Sequence, residues 1–255
     1  MIAPSIQAGL WGLLSGSALL VGAAVGWFLP MSRRVVAGIM AFGAGVLISA
    51  LAFELVDEAW RAGGFMPVAG GFLGGAAAYT GCNILLSRRG AKHRKRSDLP
   101  HREENGAAAG GNNGTALALG ALLDGIPESM VIGISLLAGH GVGLVAVAAV
   151  FLSNIPEGLS SAAGMKKAGR TPLSVFGLWA AIAIACGVAA FAGYALFAGA
   201  APASVATVQA IAAGAILAMI VDTMVPEAFE GTHDYAGLIA VLGFLAAFGL
   251  SRGLG

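Results

Sequence analysis

Eight apolar runs, approximately 6–29, 35–59, 66–86, 115–138, 141–164, 172–198, 204–228 and 235–251, constrain this chain more than any other feature. A bilayer-spanning helix needs about 20 mostly apolar residues. Backbone groups in lipid must be satisfied within the segment, so runs of this length are expected as helices. They are continuously apolar and do not alternate, which excludes a β-barrel. Charged residues make up 11% of the chain, where a soluble domain of this length carries roughly 25%. The expected fold is all-α, a polytopic membrane protein of eight transmembrane helices in a single domain spanning 1–255. The first run has no basic segment before it and is longer than a signal-peptide core, so it is expected as a retained helix.

The substantial break is 87–114, SRRGAKHRKRSDLPHREENGAAAGGNNG, basic at first and then rich in Gly and Asn. It reads as a flexible loop. Its charge is a topology signal, so nucleic-acid binding is not expected. The loops after the first, third and fifth runs hold 12 of the 14 Lys and Arg residues. In an eight-helix chain these loops share one side, and the positive-inside rule makes that side cytosolic. Both termini are then on the non-cytosolic side. Cys82 and Cys186 fall in apolar runs and are expected as packing residues.

Carboxylates inside the apolar runs carry the chemistry. Glu54, Asp124, Glu128, Glu157 and Asp222 lie within runs or near their ends, and Glu227 is close to a helix end. A charged Asp at a helix centre costs about 2.5–3.5 kcal/mol. No Lys or Arg inside the runs is available to pair with these groups, which points to a cation from outside. Helix 4 reads LLDGIPESMVIG and helix 5 reads FLSNIPEGLSSAAG, with Ile-Pro-Glu at 126–128 and again at 155–157. Asp124 and Glu128 share a helix face about 6 Å apart along the axis. Ser153 has the same spacing to Glu157, with Asn154 beside it. Pro127 and Pro156 cannot donate the helical hydrogen bond, which frees the carbonyls of Leu123 and Leu152 and lets each helix bend. Helices 4 and 5 are therefore expected as a pseudo-symmetric Pro-Glu pair at the centre, the arrangement of a midplane binding site. The competing reading of each Pro-Glu is a kink with a protonated, hydrogen-bonded Glu. Asp222 competes as a residue reaching for the interface. Glu227, Glu230 and Asp234 compete as interfacial residues, and Asp57 and Glu58 are expected to face water.

With SNIPEG, DGIPES, AFELV at 52–56 and DTMVPEAFEG at 222–231, the chain resembles the ZIP metal transporters, zinc- and iron-transporter-like proteins, in their bacterial branch. The resemblance covers essentially the whole chain. It implies a divalent metal ion such as Zn, Mn or Fe as cargo, entry from outside, release to the cytosol, no resident cofactor and a homodimer as the oligomer common in the family. The family carries His-Asn-x-Pro-Glu in helix 4 and a related motif in helix 5. By position its ligands fall on Asp124 and Glu128, and on Ser153, Asn154 and Glu157. The helix 4 Asn falls on Gly125, which has no donor. The remaining donors are all oxygen, which suits harder ions such as Mn²⁺ or Mg²⁺, although carboxylates also bind zinc.

The expected function is a divalent metal ion transporter, with Glu54, Asp222 and Glu227 marking a polar path through the site. A membrane metal sensor or scaffold that binds without moving ions is the alternative. An enzyme is not expected. There is no Walker-type loop, and no histidine lies in a span core to build an intramembrane hydrolase.

Overall fold

The computed structural model describes residues 2–86, 109–138 and 143–254, and among them it is all-helical. Helix α1 (Pro4–Phe28) is followed by α2 (Arg33–Ala50), which runs on through a π-turn (Leu51–Val56) into α3 (Asp57–Gly63). Then come α4 (Phe65–Leu86), α5 (Ala109–Ser135), α6 (Leu144–Lys167) and α7 (Pro172–Phe197). Helix α8 (Pro202–Met219) passes through a second π-turn (Ile220–Met224) into α9 (Val225–Thr232). A short 3₁₀ turn then leads to α10 (Ala236–Leu254). Five helical stretches among the described residues are long and apolar enough to cross a membrane, the last of them taking in everything from Pro202 to Gly253. Most of the loop expected at 87–114 lies outside the described residues, and its last residues already belong to α5.

Local chemistry explains the ends. Ser32 and Thr171 cap α2 and α7 by accepting from the amides of Val35 and Ser174 at 3.3 Å each. Pro172 and Pro202 open α7 and α8, where a missing N–H costs nothing. Pro127 and Pro156 leave α5 and α6 continuous in helical assignment, so neither breaks its helix outright.

Glycine sets how the helices meet. A Cβ on Gly22 of α1 would lie 2.1 Å from the Ile155 carbonyl of α6, and one on Gly158 would lie 2.2 Å from the Leu19 carbonyl in return. The same reciprocal approach joins α2 to α10 through Gly45 and Gly243, α4 to α8 through Gly75 and Gly214, and α5 to α7 through Gly133 and Gly193. Small residues of this kind let backbones touch where lipid supplies no hydrophobic drive between helices. The two Pro-Glu helices do not pack chiefly on each other. Helix α6 packs chiefly on α1, and α5 on α7, while α5 and α6 touch each other lightly.

Candidate functional site

Helices α2, α5, α6 and α8 surround a small cavity of about 10 Å³, room for about a single water molecule. Its walls are apolar except for one group, Glu128. Leu47, Leu51 and Leu55 face it from α2 and the π-turn, Ala149 and Val150 from α6, and Ile216 from α8.

The carboxylates singled out on α5 and α6 are all interior. Asp124 is 3% exposed, Glu128 2% and Glu157 7%. Tyr79 of α4 donates its hydroxyl to Asp124 Oδ1 at 3.0 Å, deep in the bundle. Asn154 donates Nδ2 to the Ser15 carbonyl of α1 at 3.1 Å, which holds one end of the amide and leaves Oδ1 as the end that could meet a cation. Ser153 is buried and returns its hydroxyl to Val150 of its own helix. Cys186 of α7 is buried against α5. Cys186 also approaches the Gly125 carbonyl, and a Cβ on Gly125 would lie 3.1 Å from its sulfur. The thiol thus occupies the space beside the position that lacks a donor. Ser129 Oγ, buried at the same level, makes no hydrogen bond of ordinary geometry. Among the described residues, no three of His, Cys, Asp and Glu stand close enough together to hold an ion as they are.

Glu54 and Asp222 are not brought into this interior. Glu54 accepts from Ser251 of α10, and Asp222 is exposed on the bundle surface beside Val221. Both lie in π-turns. An unbroken α-helix would put Glu54 on the stripe of Leu47 and Leu51, but the extra residue of a π-turn rotates the downstream side chains by about 100° and puts Leu55 there instead. Glu227 lies at one end of the bundle, where it accepts from the buried Ser160 of α6. Sequence reasoning missed Tyr79, and it misplaced Glu58. Glu58 is half-buried and accepts from Gln209 of α8 at 2.9 Å, so it is not a residue facing water alone. Asp57 does stay peripheral, ion-paired with Arg61 at 2.9 Å.

Fold and site together define an all-helical protein with the build of a polytopic membrane protein and an acidic interior. No family model matches the chain, and no curated protein matches it.

Proposed function

We propose that the protein carries divalent metal ions across the membrane towards the cytosol, with Asp124, Glu128 and Glu157 as core ligands and Asn154 and Ser153 in support. One observation carries this reading: three carboxylates are almost completely buried, on two helices whose sequences contain no Lys or Arg before Lys166. Burying a carboxylate is costly, and a protein offsets that cost by hydrogen bonding, by protonation or by binding a cation. A carrier for a divalent ion uses the last two, because the ion and protons compete for the same oxygens.

The helix arrangement supports the same reading. In the eight-helix reading the four helices around the cavity are helices 2, 4, 5 and 7, and contacts of one half of the chain recur in the other. Helix α1 packs on α6 as α7 packs on α5, and α4 packs on α8 as α10 packs on α2. That pattern supports reading the two Pro-Glu helices as a pseudo-symmetric pair at a repeat interface, the usual seat of a carrier site. Ion binding then draws the lightly touching α5 and α6 together, the motion their prolines favour. The resemblance to ZIP transporters supplies the direction and the cargo class.

Tracer flux tests the proposal. Proteoliposomes holding the wild-type protein should take up radioactive Mn²⁺ or Zn²⁺ faster than protein-free vesicles, and Glu157→Ala should abolish the difference. Saturable binding with no flux would instead make the protein a metal sensor or scaffold.

A further inference from the structure

The two π-turns occupy the same place in a repeated stretch. Gly45, Leu51, Glu58, Ala59 and Trp60 in the first half correspond to Gly214, Ile220, Glu227, Ala228 and Phe229 in the second. The π-turns open on Leu51 and Ile220. A Cβ on Gly45 would lie 1.8 Å from the Ala240 carbonyl, and one on Gly214 would lie 1.9 Å from the Phe72 carbonyl. Ala59 and Ala228 are buried at 0% and 2%, and Trp60 and Phe229 are each 56% exposed. The correspondence therefore holds in sequence, in backbone and in burial.

The two copies run in opposite directions. Gly63, at the end of α3, approaches Ala206 near the start of α8. Gly231, near the end of α9, approaches Ala37 and Arg33 at the start of α2. Glu58 and Glu227 consequently sit at opposite ends of the α2 and α8 pair that walls the cavity. Each is half-buried, and each accepts from a buried neutral donor, Gln209 at 5% exposure and Ser160 at 1%. A carboxylate has about four acceptor positions, and an amide or hydroxyl at one of them fixes its orientation.

We propose that Glu58 and Glu227 are equivalent ion-handing carboxylates at the two mouths of one path, and that the π-turns set the direction each one faces. This rests on the carrier reading above. An ion leaving the Glu128 region in either direction meets one acidic group half-way to water. The π-turn matters because shortening it by one residue rotates Glu58 by about 100° away from Gln209.

The test uses radioactive Mn²⁺ and the full-length protein inserted in vesicles in a single orientation, with flux measured under gradients of either sign. Glu58→Gln should raise the half-saturating ion concentration about tenfold when ions enter from the side that Glu58 faces, and little from the other. Glu227→Gln should show the mirror result, and Glu58→Asp should restore most of the wild-type value. Wild-type flux with an unchanged half-saturating concentration in Glu58→Gln overturns the proposal. So does an equal loss in both directions that Glu58→Asp shares, which is the mark of a purely structural role. Absence of wild-type flux removes the carrier reading, and this proposal with it, before any variant is compared.

Discussion

Tyr79 and Gly125 show how single side chains tune the acidic interior. Tyr79→Phe keeps the ring and deletes the donor to Asp124. Losing a buried hydrogen bond to a carboxyl group costs about 1–3 kcal/mol. The variant should melt at a lower temperature in detergent, and an unchanged melting temperature would show that Asp124 does not depend on it. Gly125→Asn adds a side-chain donor beside Asp124, but its Cβ would meet the Cys186 sulfur at 3.1 Å. Overpacking of this kind costs about 1–3 kcal/mol. Cys186→Ala should relieve it, so the double variant should be more stable than Gly125→Asn alone in a thermal unfolding assay. The carboxylates were legible as residues, because acidic groups stand out in apolar runs. Their partners were not, because Tyr79 and Ser15 are tens of residues away in the chain and meet Asp124 and Asn154 only through packing.

At the scale of helices, the glycine contacts are the most exposed to test. Gly22→Val would place a branched side chain where a single Cβ already falls 2.1 Å from the Ile155 carbonyl. The α1 and α6 backbones would have to separate just beside Pro156. Destabilisation of about 1–3 kcal/mol or more is expected, together with loss of flux. Gly177→Val offers a contrast, since nothing lies within 4 Å of a Cβ there. Equal effects from both would mean that close approach at Gly22 is unimportant. The helices themselves could be read from run length. The π-turns could not, since AFELV and IVDTM carry no Gly or Pro to announce an irregular turn. That hidden extra residue is why Glu54, which α-helical spacing aligns with Leu47 and Leu51, ends against Ser251.

For the whole molecule, the distribution of Lys and Arg predicts that both termini are non-cytosolic. Single cysteines at Ser5 and Ser251, in a background lacking Cys82 and Cys186, should react with a membrane-impermeant thiol reagent added to intact cells. Labelling only after permeabilisation would reverse the orientation. Flux should also fall as pH falls, because a protonated carboxyl has lost the charge and the lone pair that hold the ion. The eight apolar runs made the class of fold readable at once. Which runs would pack together was not, because helices meet through glycine registers that no single run reveals.

The most direct measurement is a competition series of unlabelled divalent metals against one radiotracer in proteoliposomes, with wild type beside Glu128→Ala. Wild-type uptake should be saturable and suppressed by a subset of the metals, with Glu128→Ala at the level of empty vesicles. Equal flux through both proteins would contradict the central claim that buried carboxylates on α5 and α6 carry the ion.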